Sequence, residues 1–137
     1  MAINTYGGNK RVYSIDPRGG YSLLNFEFGK ETEVDLSCSI QWQNYLYVFG
    51  GFTKRRQVSM VNGSRLEQKA TLDFDFFHGA CTVLNQITIV LCFGEPWKRD
   101  VCRQSNNPLG SFTKLSNSNY WHRYTRIASF DGKNKIY

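Results

Sequence analysis

Short apolar stretches, separated by glycine, proline and polar turns, recur along the whole chain. Three of them are strand-like segments that end at glycine, namely Ala2 to Gly8, Tyr45 to Gly51 and Ile89 to Glu95. They begin about 43 to 44 residues apart, and a fixed period of this size is typical of architectures that repeat one small sheet. The pattern therefore predicts three structural repeats.

Each repeat carries signals for four strands. A basic turn and a second strand follow each glycine, a third strand starts after a further glycine, and a fourth strand precedes the next repeat. Second strands are predicted at 12–15, 57–61 and 101–102, third strands at 20–24, 63–66 and 110–115, and fourth strands at 36–40, 79–83 and 125–128. Alternation of Leu72, Phe74 and Phe76 with polar residues indicates a further pleated segment. No segment has the sustained apolar stripe of a helix, so the predicted fold class is all-β.

These strands resemble the kelch family of β-propellers. The matching features are Tyr47-Val48-Phe49-Gly50-Gly51, the strands around Tyr13 and Val58, and the segment Gly79-Ala80-Cys81-Thr82-Val83. The resemblance covers most of the chain. It implies three kelch-like, four-stranded propeller blades, with approximate bounds 1–37, 38–80 and 81–137, that together form a single repeat unit.

Two departures separate the chain from the family pattern. The usual tryptophan of the third strand is replaced by leucine in each repeat, and Glu95 stands where the third copy would have its second glycine. A generic antiparallel β-sandwich is the alternative fold, because short strands with turn signals at this spacing suit it too.

Three blades are fewer than the roughly four to eight that close a propeller ring. Lys135-Ile136-Tyr137 and Ala2 to Gly8 read as the two parts of one glycine-ended strand. Two copies joined head to tail would then give about six blades and leave no open edge. We therefore expect a self-assembling homodimer in which each chain forms half of a six-bladed propeller. The alternative is an engineered or excised propeller fragment without native activity.

Neither a signal peptide nor a transmembrane segment is recognisable in this sequence. Residues 1–10 have no apolar stretch, and no run of about 18 apolar residues occurs. We expect a cytoplasmic protein or a fragment of a secreted one, and we expect no membrane association.

The four cysteines fall into two pairs. When Phe49 is aligned with Phe93, Cys92 and Cys102 lie on neighbouring strands of one hairpin, where a disulfide between them could form. Cys38 and Cys81 occupy equivalent strands of successive repeats and are interpreted as buried thiols. No Cys-x-x-Cys spacing is present, so no metal site and no cofactor are expected.

Charge adds one feature, since the formal net charge is +6. Basic residues cluster in the predicted turns Lys10-Arg11, Lys54-Arg55-Arg56 and Lys98-Arg99, which the period would place on one rim. Such a rim would attract an acidic protein segment or a glycan. The alternative is a set of solvated turns that keep the protein soluble. No nucleic-acid reader motif accompanies the charge, so nucleic acid is not an expected partner.

Catalytic groupings are not visible, because no nucleophile, phosphate loop or metal cluster accompanies the histidines. We therefore expect a non-enzymatic scaffold that binds a protein partner through its loops. The candidate contacts are Arg11, Arg55, Arg56, Trp97, Lys98 and Arg99. Trp97 is the expected anchor, unless it packs on a neighbouring blade.

A carbohydrate-binding, lectin-like propeller is the alternative function. Glycan sites would need aromatic platforms repeated in each blade. Trp42, Trp97 and Trp121 lie at positions that do not correspond between repeats. This favours the protein-binding scaffold.

Overall fold

The computed structural model describes residues 2–4, 11–15, 21–24, 36–63, 65–98 and 100–119, the first three ranges as backbone strands only. All the regular structure in these residues is β-strand, in accordance with the predicted class. The strands are β1 (Ala2–Asn4), β2 (Arg11–Ile15), β3 (Tyr21–Leu24), β4 (Cys38–Trp42), β5 (Tyr45–Phe49), β6 (Gln57–Asn62), β7 (Arg65–Thr71), β8 (Ala80–Leu84), β9 (Thr88–Cys92), β10 (Cys102–Ser105) and β11 (Thr113–Lys114).

The strands form three antiparallel sheets, each built in chain order. Sheet 1 contains β1-β2-β3, sheet 2 contains β4-β5-β6-β7, and sheet 3 contains β8-β9-β10-β11. Every neighbouring pair is antiparallel. The all-β prediction is thus confirmed, with two four-stranded sheets. Within the described residues there is also no helix that could span a membrane.

One predicted pleated segment is not a strand. Leu72, Phe74 and Phe76 are buried as the alternation indicates, but residues 72–79 form an irregular crossover from β7 to β8. The backbone N–H of Phe76 donates to Arg55 O at 2.8 Å, and that of Leu72 donates to Arg56 O at 2.7 Å. Both acceptors lie in the loop between β5 and β6 of sheet 2. The crossover therefore satisfies these backbone groups without forming a strand, while its apolar side chains are buried.

The second strand of each four-stranded sheet is buried on both faces. Leu46, Tyr47, Val48 and Phe49 of β5 are each at most 6% exposed, and residues 89–92 of β9 at most 2%. In a two-layer sandwich each sheet keeps one face towards solvent, so its strands alternate buried and exposed positions. Here both faces of β5 and β9 are covered by other parts of the protein, including the side chains of Phe74, Phe76 and Phe112.

Sheets 2 and 3 approach most closely at their first strands, β4 and β8. A disulfide joins Cys38 of β4 to Cys81 of β8, with the two Cα atoms 5.9 Å apart. The interpretation of these cysteines as free core thiols is therefore wrong. Face-to-face sheets are normally about 10 Å apart. The two strands are thus too close for a full layer of apolar side chains, and a disulfide fits the space.

Large aromatic side chains fill the core that the sheets and their connections enclose. Phe49 and Phe112 meet edge to face with ring centroids 5.9 Å apart, and Phe74 contacts Phe112 at 6.2 Å. Phe76 packs perpendicular to Phe74 at 6.4 Å. Such T-shaped pairs add about 0.5–1.5 kcal/mol each beyond simple burial. The side chains of the irregular crossover are therefore part of the aromatic core.

A second disulfide lies within sheet 3. Cys92 of β9 and Cys102 of β10 are direct register partners, and their Cα atoms are 4.1 Å apart. This is the pair for which the sequence indicated a possible bond. All four cysteines of the chain are consequently oxidised.

Candidate binding surface at the glycine end

Three connections meet at one end of sheets 2 and 3, which we call the glycine end. They are the β5–β6 loop (50–56), the crossover (72–79) and the β9–β10 loop (93–101). Gly51 N donates to Phe76 O at 3.0 Å, and Phe77 N donates to Gly94 O at 2.9 Å. The crossover is therefore hydrogen-bonded to the glycine turn of each sheet.

Glycine is required at this end because Phe76 lies against it. A Cβ atom on Gly50 would be 1.8 Å from the carbonyl oxygen of Phe76, and Gly50 has φ +60°. A Cβ on Gly94 or Gly79 would lie 2.3 or 2.6 Å from the Phe76 ring. The glycine motif seen in the sequence thus makes room for the crossover rather than merely ending a strand.

The glycine turns of sheets 2 and 3 correspond to each other, but their matching positions are offset by one residue from the alignment made on the sequence. Gly50 N donates to Gln57 O, and Phe93 N donates to Val101 O, both at 2.8 Å. Phe93 has φ +62°, close to the +60° of Gly50. Phe93 therefore corresponds to Gly50, and Gly94 to the second glycine. The alignment of Phe93 with Phe49, and of Glu95 with the second glycine, is therefore wrong. Phe93 resembles the last residue of a strand in the sequence, but β9 ends at Cys92.

Arg55 and Arg56 are partly engaged within the protein. The guanidinium of Arg55 lies 4.5 Å from the Phe77 ring centroid and 5.7 Å from that of Phe52. Arg56 Nε donates to Asp75 Oδ1 at 2.6 Å, and Arg55 Nη1 lies 3.9 Å from Asp75 Oδ2. The carboxylate of Asp75 thus offsets part of the positive charge that the sequence places in this loop.

Trp97 is the most exposed large apolar side chain among the described residues, with 88% of its surface accessible. It lies in a tight turn in which Lys98 N donates to Glu95 O at 3.2 Å. Its backbone φ is +65°, a region that a bulky side chain rarely adopts. Trp97 does not pack on the described sheets, so the turn holds its indole out in solvent.

A partly buried ion pair fixes the base of the Trp97 turn. Glu95 is only 8% exposed and accepts a hydrogen bond from Arg103 Nε at 2.6 Å. Arg103 in turn lies over the Phe74 ring, with its guanidinium carbon 4.4 Å from the centroid. Lys98 Nζ is 3.9 Å from the same carboxylate. The turn is therefore anchored to the aromatic core through Glu95 and Arg103, two residues that sequence reasoning did not assign to any site.

The two remaining candidates cannot be placed on this surface. Arg11 begins β2 as a backbone position, and Arg99 lies outside the described residues. Of the three basic clusters, those around Arg55 and Lys98 lie at the glycine end. The terminal segment Lys135 to Tyr137, on which the dimer expectation depends, also lies outside the described residues.

The described residues contain no grouping of three or more His, Cys, Asp or Glu side chains that could hold a metal ion. Comparison with known proteins gives no further assignment, since no family model matches the chain and no curated protein matches it. The case for function therefore depends on the geometry of the surfaces themselves.

Proposed function

We propose that the chain is a non-enzymatic β-propeller scaffold of the kelch type, in which sheets 2 and 3 are consecutive blades. Burial of both faces of β5 and β9 supports stacked sheets. The close approach of β4 and β8 supports a wedge that narrows towards the first strands, as the inner strands of adjacent blades do.

A second copy of the chain supplies the remaining blades in this proposal. The three described sheets are fewer than the roughly four to eight of a closed ring. Light scattering coupled to size exclusion tests the assembly. We expect twice the chain mass of 15.8 kDa. A stable species at the mass of one chain would contradict the homodimer and leave the fold of each blade unaffected.

Trp97 is the observation that supports a binding function most strongly. A bulky residue at φ +65° costs about 1–2 kcal/mol relative to glycine in the same turn. Exposure of its indole gains nothing in the isolated protein, since apolar area is stabilising only when it is removed from water. Burial of the indole in a partner would offset the backbone cost, and a tryptophan held by a rigid turn loses little entropy on binding.

The surroundings of Trp97 indicate the chemistry of that partner. Lys98 and Arg56 have well-exposed side chains at the same end of the sheets, and Phe52 adds exposed aromatic surface. A protein with an apolar pocket for the indole and acidic residues around it would match this surface. The acidic groups would set the association rate, and the pocket would supply most of the affinity.

The two disulfides favour an oxidising compartment for this scaffold, because cytosolic thiols are normally kept reduced. The protein partner should therefore be sought among secreted or cell-surface proteins. Chemical cross-linking in an extracellular extract is the corresponding screen.

Trp97→Ala tests the binding proposal, with Leu109→Ala as the matched control. Leu109 is also an exposed apolar residue, but it lies in the β10–β11 loop at the opposite end of the sheets. A partner captured by the wild type should bind Leu109→Ala equally well and Trp97→Ala at least about tenfold more weakly. Equal capture by all three proteins would overturn the assignment of Trp97. Arg55→Glu is a poorer test, because Arg55 is stacked within the loop itself.

A further inference from the structure

The opposite end of sheets 2 and 3, which we call the hairpin end, carries a cavity that the proposed protein-binding surface does not use. Its volume is about 470 Å³, within the range of small-molecule sites. It is lined by Gln41, Trp42, Gln43, Val83 and Gln86. These residues come from the ends of β4 and β8 and from the turns that follow them.

Trp42 provides a fixed aromatic wall. Its indole Nε1–H donates to Ile87 O at 3.3 Å, which ties the β4–β5 hairpin to the β8–β9 loop. Its ring also meets Tyr47 edge to face, with centroids 6.4 Å apart and planes at 73°. Because its N–H is hydrogen-bonded within the protein and its ring packs against Tyr47, the indole is held in place as a preorganised apolar surface for a ligand.

Three glutamine side chains supply the polar groups around that wall. A primary amide carries two donors and an acceptor with two lone pairs, so it can pair with hydroxyl groups that both donate and accept. Gln43 and Gln86 have φ of +54° and +60°. Glycine or asparagine is the usual choice at such turn positions. Glutamine at both positions therefore places an amide at the cavity at a cost to the backbone.

The lining residues carry no charge. The buried Tyr47 behind Trp42 stays neutral as well, since burial raises the pKa of its phenol. A carboxylate, sulfate or ammonium group would thus find no ionic partner among the side chains that line this cavity.

We propose that this cavity binds a neutral saccharide as a single site, rather than through a platform repeated in each sheet. The apolar face of a pyranose ring would stack on Trp42, and its hydroxyl groups would exchange hydrogen bonds with the amides of Gln41, Gln43 and Gln86. The proposal does not depend on the protein-binding function of Trp97, which lies at the other end of the sheets.

Chemical-shift mapping on the isotopically labelled wild-type protein tests the site directly. The probes are lactose, maltotriose and chitotriose as neutral saccharides, and sialyllactose as a charged one. We expect at least one neutral saccharide to bind with a Kd of about 1 mM or tighter and to shift the Trp42 indole signal. Its effect should be centred on residues 41–44 and 86. No binding by any neutral probe, tighter binding of sialyllactose, or shifts centred on Trp97 would each overturn the proposal.

The double variant Gln43→Gly/Gln86→Gly tests the amides without threatening the fold, because glycine accepts both positive φ values. We expect it to weaken saccharide binding about tenfold or more, as loss of two hydrogen bonds implies. Gln68→Ala is the control, since Gln68 is an exposed glutamine on β7 that does not line the cavity. Unchanged binding by the double variant, or equal loss in Gln68→Ala, would contradict the assigned contacts.

Discussion

Sheets 2 and 3 have the same topology and the same backbone hydrogen bond at their glycine turns, but they secure their central strands differently. In sheet 2 the last pair between the second and third strands is Phe49–Val58. In sheet 3 the corresponding pair is Cys92–Cys102, joined as a disulfide. One fold position is thus held by apolar packing in one sheet and by a covalent bond in the other.

The fourth strands suggest why sheet 3 has the covalent bond. β7 has seven residues, whereas β11 has two. The outer edge of sheet 3 therefore has a shorter ladder of backbone hydrogen bonds and less cross-strand side-chain packing. The Cys92–Cys102 bond constrains the β9–β10 hairpin with which β11 pairs. The comparison shows that two sheets with the same strand topology can be stabilised differently, one by apolar packing and the other by a disulfide.

The bond between the two sheets should matter more than the bond within sheet 3. Cys38–Cys81 closes a loop of 43 residues in sequence separation, and Cys92–Cys102 one of 10. We expect Cys38→Ala/Cys81→Ala to lower the free energy of unfolding by about 4 kcal/mol, because the longer loop restricts the unfolded chain more. Urea denaturation under non-reducing conditions gives the value.

The matched variant Cys92→Ala/Cys102→Ala should lower the free energy of unfolding by less, about 3 kcal/mol. The loss should fall on sheet 3 first, so hydrogen exchange at β10 and β11 should accelerate while β5 and β6 stay protected. An equal loss of protection in both sheets would contradict a local role for Cys92–Cys102. A larger stability loss here than in the Cys38/Cys81 variant would reverse the comparison.

Substitutions at the matched turn positions Gly50 and Phe93 should have very different effects. In Gly50→Ala the new methyl group meets Phe76 O, so we expect a loss of about 2–3 kcal/mol from strain and from a disturbed Gly51–Phe76 hydrogen bond. Phe93→Gly should cost less than Gly50→Ala, since relief of the positive φ offsets part of the lost side-chain contacts and of the added freedom of the unfolded chain. Thermal denaturation of the two variants checks the difference. Similar destabilisation of both would contradict the account in which Gly50 is required by its contact with Phe76 and Phe93 is strained.

The smallest expected effect concerns Trp97. Asparagine tolerates φ +65° better than tryptophan, so Trp97→Asn should leave stability unchanged or raise it by up to about 1 kcal/mol. The same variant should bind the protein partner more weakly. Chemical denaturation measures the first effect. A clear destabilisation would show that the indole has a packing role within the fold, against its assignment as a binding residue.

Sequence patterns were sufficient for most strands because each strand is marked locally by apolar residues and by a glycine or polar turn. They also placed Cys92 and Cys102 on neighbouring strands, since the two lie in one hairpin. The Cys38–Cys81 bond could not be derived in this way. It depends on how closely β4 approaches β8, which is a long-range property of the packing.

The one-residue error at Phe93 has a related cause. An aromatic residue at the end of a hydrophobic run is typical of a strand, but Phe93 has a positive φ and its N–H closes the β9–β10 loop on Val101 O. Trp97 was recognisable from its sequence neighbours, but the anchoring of its turn through Glu95 and Arg103 was not. The cavity at the hairpin end was missed as well. The sequence feature that could have indicated the cavity is glutamine at two turn positions where glycine or asparagine is usual.

Disulfide mapping of the unreduced protein by mass spectrometry is the most direct test of the central claim, that sheets 2 and 3 are equivalent units that converge at their first strands. Proteolytic fragments should contain Cys38 linked to Cys81 and Cys92 linked to Cys102. A link from Cys38 to Cys92 or Cys102, or a free Cys38 in protein purified without reductant, would contradict the arrangement of the sheets.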